Sequence, residues 1–121
     1  MTDIQKEGRP GRLSVQAEVV DGILVVTVHG EIDDDVKDAL GQALTSEDGV
    51  APPRIVADLS GVTFMDSSGI NVFIATHLRV SQAQGWLRIA GAQESVVRLL
   101  QPVGVDAFIP CHPTVEQALN A

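Results

Sequence analysis

Four consecutive residues, Asp66-Ser67-Ser68-Gly69, put a carboxylate, two hydroxyls and a glycine where an apolar run gives way to a helical pattern. Two kinds of chemistry are open to them. Side-chain oxygens of Asp and Ser accept from the first unpaired N–H groups of a helix, so either Asp66 or Ser67 can serve as N-cap. That helix end also carries partial positive charge and free donors, so a phosphate on Ser67 or Ser68 is tolerated there. Capping alone explains an isolated Asp-Ser-Ser-Gly, and the spacing by itself does not make a switch.

Other chemistries are poorly served. A nucleophile elbow needs Gly-x-Ser-x-Gly, and Met65 stands where the first glycine would be. His77 lies ten residues beyond Ser67 on a helix face expected to be buried, as a core or boundary histidine rather than a base. His29 ends a strand, and His112 sits beside Cys111 between two prolines, a weak metal signal. The carboxylates Glu31, Asp33, Asp34, Asp35, Asp58 and Asp66 would make an acid/base pair or a Mg²⁺ site only if folded together. No phosphate-binding loop accompanies them. The chain is therefore read as a non-enzyme, with no catalytic residue, no metal site and no cofactor.

Positioning these residues falls to a single domain. The 121 residues are 45% hydrophobic but only 3% aromatic, so aliphatic side chains and alanine must fill the core. Few aromatics also disfavour a nucleic-acid reader built on base stacking. One cysteine excludes an internal disulfide and fits a reducing compartment. No leader or membrane-spanning run is visible, so a cytoplasmic protein is expected, with no membrane insertion. The net charge of −8 is concentrated: from Glu18 to Asp48 there are nine acids and one base, Lys37. This disfavours DNA and anionic membranes as partners and suits a basic protein surface, although an acidic face also serves solubility.

Residues 1–12 lack periodicity and read as a flexible tail, with one domain over 13–121. Val15, Ala17 and Val19 alternate as a first strand, Asp21-Gly22 signals a hairpin, and Ile23 to Val28 form a second strand. A helix follows with Val36, Ala39, Leu40, Ala43 and Leu44 inward and Asp33 or Asp34 as cap. After a loop at 49–53, the apolar run Ile55–Leu59 is a buried strand. It leads into a helix with Ile70, Phe73, Ile74, His77 and Leu78 on one face. Trp86–Ala90 is a fourth strand, with Trp86 in or near the core. The next helix buries Val96, Leu99, Leu100 and Val103 before Gly104. Ala107–Ile109 is expected to be the last strand, and Thr114 with Gln117 forms a capping box opening a terminal helix. The order ββαβαβαβα predicts an α/β fold with a mixed, mostly parallel sheet of about five strands and right-handed crossovers.

Phe64-Met65-Asp66-Ser67-Ser68-Gly69-Ile70 after an apolar strand, with Gly30-Glu31-Ile32-Asp33 ending an earlier one, resembles the STAS family, specifically the bacterial anti-sigma factor antagonists. The resemblance runs from about Ser14 to the C-terminus and implies the STAS fold, with the same element order. It also implies partner switching. The unmodified antagonist binds an anti-sigma factor that is also a serine kinase and so frees a sigma factor. The kinase phosphorylates Ser67 and the antagonist is released, until a PP2C-type phosphatase restores it. Glu31, Asp33, Asp66, Ser68, Gly69 and Asn71 would form the partner-binding region. Two departures stand out: Asp35 and Val36 replace the Thr-Ala often found after the acidic turn, and Asn71 replaces a frequent glycine. The alternatives are a non-switching STAS scaffold, in a signalling assembly or a lipid-transport complex, and a nucleotide-binding STAS module.

Overall fold

A computed structural model describes residues 13–45 and 53–121. The tail expected at 1–12 and nearly all of the loop expected at 49–53 lie outside the described residues. The elements are β1 (Leu13–Val20), β2 (Ile23–Ile32), α1 (Lys37–Ala43), β3 (Arg54–Met65), α2 (Ser67–Gln82), β4 (Trp86–Ala90), α3 (Glu94–Leu100), β5 (Cys111–His112) and α4 (Val115–Asn120). A short 3₁₀ turn, Val105–Ala107, precedes β5.

The hairpin forms at Asp21-Gly22, where φ angles of 54° and 80° give the two left-handed positions that a two-residue connection needs. All eight residues of β1 then pair antiparallel with β2. From β2 onward the ladders are parallel, and the sheet runs in simple order β1-β2-β3-β4-β5. This is the α/β architecture predicted from the element order.

One sheet face carries the main core. Val26, Val28, Ile55, Ala57, Leu59, Leu87 and Ile89 from the strands meet Leu40 of α1, Phe73 of α2 and Val96 and Leu100 of α3. The other face buries Ile23, Val25, Val56 and Ala90 under Ala118 of α4, with Trp86 packed at its margin. The Arg88 guanidinium lies 3.6 Å from the Trp86 ring centroid and donates to the Ala118 carbonyl at 2.8 Å, so this residue closes the C-terminal end of α4. At the start of α4, Thr114 accepts from the Gln117 N–H, as its capping sequence predicts.

Several expectations are corrected. No aspartate side chain caps α1: the helix begins at Lys37 behind Val36, and Asp33 accepts from the Asp35 N–H instead. That local Asx turn competes with helix formation and holds residues 33–36 in a turn. Ala39 is exposed rather than inward. On α2 the buried stripe is Gly69, Ile70, Phe73, Thr76 and Val80; Leu78 is exposed and His77 half-buried. Ala107–Ile109 is no strand. Ile109 is buried from the end of the 3₁₀ turn, and the ladder to β4 is made by Cys111–His112. Val103 lies beyond α3 and is exposed, as is Val19 on edge strand β1.

Candidate functional site

The site forms where β2 and β3 end side by side. Their register places Glu31 opposite Phe64 and Ile32 opposite Met65. The ladder is irregular between Gly30 and Glu31, where Gly30 takes a φ of 109° that only glycine adopts without strain. The Asp66 N–H donates to the Ile32 carbonyl at 3.1 Å, tying the start of the second motif to the first. Two stretches separated by more than thirty residues thus become one surface.

Asp66 resolves the choice of cap. It is extended, its Oδ1 accepts from the Ser68 N–H at 2.9 Å, and its carbonyl accepts from the Gly69 N–H at 3.1 Å. Ser67 is therefore the first helical residue, and it is exposed. Ser68 is half-buried. Gly69 is buried, and a Cβ there would stand 2.5 Å from Met65 Cγ and 2.8 Å from Ile32 Cγ2, so absence of a side chain lets α2 sit down on β2 and β3. Asn71 is exposed, as its position predicts.

Of the residues singled out from sequence, Glu31, Asp33, Asp66, Ser67, Ser68 and Gly69 are brought together, and Asn71 lies one turn along the same helix. Glu31 is exposed and Asp33 half-buried. The remaining candidates are elsewhere. His77 packs against Phe108 with ring centroids 5.0 Å apart and planes tilted by 49°, and a Cβ at Gly61 would collide with the His29 ring. Asp58 accepts from the Ser60 N–H. Among the described residues, no group of three or more His, Cys, Asp or Glu side chains is placed to hold a metal ion.

Three residues at this edge were named from sequence but left out of the expected contact set. Asp34 and Lys37 form an ion pair of 2.9 Å across the turn into α1. Lys37, through its hydrogen bond and its charge, holds the Asp34 carboxyl below the usual range, and the nearby Ser68 hydroxyl adds a small lowering. Asp34 reciprocally raises the pKa of Lys37. The available signal was that Lys37 is the lone base in an acidic stretch. Phe64 is the third: a large apolar side chain 48% exposed, opposite Glu31 and three residues before Ser67. A strand-end aromatic breaking the burial pattern marks a surface open to contact rather than core.

The STAS domain family model matches residues 14–118. The chain is 28% identical over 112 residues to the anti-sigma F factor antagonist of Paenibacillus polymyxa, covering 89% of this chain and 93% of that protein. It is 30% identical over 93 residues to the anti-sigma-B factor antagonist of Staphylococcus aureus, covering 77% and 86% respectively. The crystal structure of an anti-sigma factor antagonist from Mycobacterium paratuberculosis superposes with a TM-score of 0.81 at 32% identity, over 93% of this chain and 95% of that one. With motif, topology and coverage in agreement over nearly its whole length, the chain belongs to the STAS domain family.

Proposed function

We propose that this protein is an anti-sigma factor antagonist whose partner is controlled by phosphate on Ser67. Unmodified, it docks the β2–β3 edge and the start of α2 onto an anti-sigma factor with serine kinase activity, so that a sigma factor is released. Phosphorylation of Ser67 ends the complex, and a PP2C-type phosphatase renews it. On this reading Glu31, Asp33, Asp66, Ser68, Gly69 and Asn71 shape the contact, joined by Phe64. The protein acts as a regulator rather than an enzyme.

The observation that carries this reading is the exposed Ser67 hydroxyl on the first turn of a sixteen-residue helix, with Asp66 as its cap and the Glu31–Asp33 turn alongside. The names of the relatives support the same assignment. Ser67 is the more accessible acceptor, because Ser68 is half-buried. A phosphate adds about −1.5 to −2 charges at neutral pH and substantial bulk. The helix N-terminus accommodates that charge within the protein, so the fold survives. A partner packed over the same spot must desolvate or displace it, and each ~1.4 kcal/mol of cost weakens binding about tenfold.

The test pairs two variants with the host's anti-sigma kinases. Incubation with Mg-ATP and phosphopeptide mapping is expected to place phosphate on Ser67. Ser67→Ala should bind as tightly as the unmodified protein, and Ser67→Asp at least about tenfold more weakly. Equal dissociation constants for the two variants would overturn the switch.

A further inference from the structure

We infer that Lys37 is the cation that receives the phosphate of modified Ser67, leaving Asp34 to do so. This rests on the proposed modification of Ser67 and assigns that site its second half. The described residues contain five cations: Lys37, Arg54, Arg79, Arg88 and Arg98. Four are committed or remote. Arg79 donates to the Leu44 carbonyl, Arg88 to the Ala118 carbonyl, and Arg98 to Glu94. Arg54 opens β3 beside the Gly22 hairpin, a full strand's length from Ser67. Lys37 alone is at the right edge.

Its present partner brings it there. The Lys37 ammonium lies 2.9 Å from Asp34 Oδ1, and the Asp34 carboxylate lies close enough to Ser68 to feel its hydroxyl. The carboxylate next to Ser67's neighbour thus already holds the lysine. The pair is exposed, at 46% for Lys37 and 74% for Asp34, so breaking it costs little in packing or solvation. A phosphate of nearly two charges with three acceptor oxygens outcompetes a single carboxylate for an ammonium. Lysine's flexible four-carbon stem permits the move without a backbone change. Asp34 and Asp38 act on Lys37 and Asp66 caps the helix at Ser68, so without Lys37 the phosphate would face acidic side chains and helix N–H groups alone.

The consequence is that modification rearranges two partner-facing charges as well as adding its own. Lys37 is withdrawn onto α2, and Asp34 is left as an uncompensated carboxylate. The site then differs from the unmodified one in charge pattern over both β2–α1 and β3–α2 turns.

Phosphoserine installed at position 67 by co-translational incorporation makes the test independent of any kinase. The phosphate is titrated by ³¹P NMR in the otherwise native protein, in Lys37→Gln and in Lys37→Arg, with circular dichroism to verify folding. Lys37 favours the dianion, so Lys37→Gln is expected to lower the second proton dissociation constant by about two- to fivefold, and Lys37→Arg to restore it. The difference should shrink in 1 M NaCl. Identical titrations for native and Lys37→Gln proteins would overturn the inference even where kinase assays confirm Ser67. A kinase that leaves Ser67 unmodified would overturn the switch while the NMR titration still decides the lysine.

Discussion

Gly69 shows how one residue type fixes the geometry of the site. Its absent side chain lets the first turn of α2 rest against Met65 and Ile32, which close the ends of β3 and β2. An alanine gains up to about 1 kcal/mol of helix propensity in a helix interior, less in a first turn. Forcing a methyl into contacts of 2.5 and 2.8 Å costs about 1–3 kcal/mol through displaced side chains. The clash wins. Gly69→Ala should lose about 1–2 kcal/mol in urea denaturation, and its tilted helix should also weaken partner binding. A variant as stable as the native protein would show that Met65 yields freely. Gly69 was legible in the sequence as part of a motif, but the reason for it was not, because its clashing neighbours come from the ends of two strands.

At the scale of elements, α2 is the piece that couples fold to function. Its cap is a single side chain, Asp66, accepting from the Ser68 N–H, so that bond starts the helix whose first residue is Ser67. Asp66→Ala is expected to cost about 1 kcal/mol and to fray the first turn, whereas Asp66→Asn keeps the acceptor and most of the stability. Amide exchange at Ser68 and Gly69 would report it: faster exchange in the alanine variant alone is the expected result, and equal exchange in both variants would remove the cap from the explanation. Elements with strong local signals were legible in advance. The Asp21-Gly22 hairpin and the Thr114 cap rest on interactions within a few residues, and strand Trp86–Ala90 carried a short apolar run bounded by Gly85 and Gly91. What escaped prediction was decided by competition or distant packing. Asp33 or Asp34 promised a cap for α1, but Asp33 closed a turn on Asp35 instead. The helical period put His77 and Leu78 inward, yet the buried stripe runs through Gly69, Ile70, Phe73, Thr76 and Val80, with Gly69 seated against Met65 and Ile32. An apolar Ala107–Ile109 resembled a strand, and burial of Ile109 from a 3₁₀ turn satisfied it equally well.

The whole molecule explains why this site is a surface. The parallel strands run in unbroken order from β2 to β5, and α1, α2 and α3 contribute to one core on one face of the sheet. Ligand crevices in open α/β sheets form where strand order reverses and helices part to opposite faces. Among the described strands there is no such reversal, and at the ends of β2 and β3 Glu31 and Phe64 are exposed while Ile32 and Met65 are buried. Charge determines how an encounter with a partner begins. Of the acids between Glu18 and Asp48, Glu31, Asp33, Asp34, Asp35 and Asp38 lie from the end of β2 into α1, on the side of Ser67. Such a field steers a basic partner, and steering acts on the association rate more than on the lifetime of the complex. Raising salt from about 0.05 to 0.5 M shortens the Debye length from roughly 14 to 4 Å, by the inverse-square-root scaling of screening. The association rate constant for the anti-sigma factor is therefore expected to fall about tenfold over that range, with dissociation changing much less. Asp38→Asn, an exposed charge on α1, should lower the low-salt association rate by a smaller factor and leave the rate at high salt unchanged. Stopped-flow association of the native protein and this variant decides it. A salt-independent rate would mean that the acidic edge serves solubility alone and that shape at Phe64 and the α2 turn governs encounter as well as affinity.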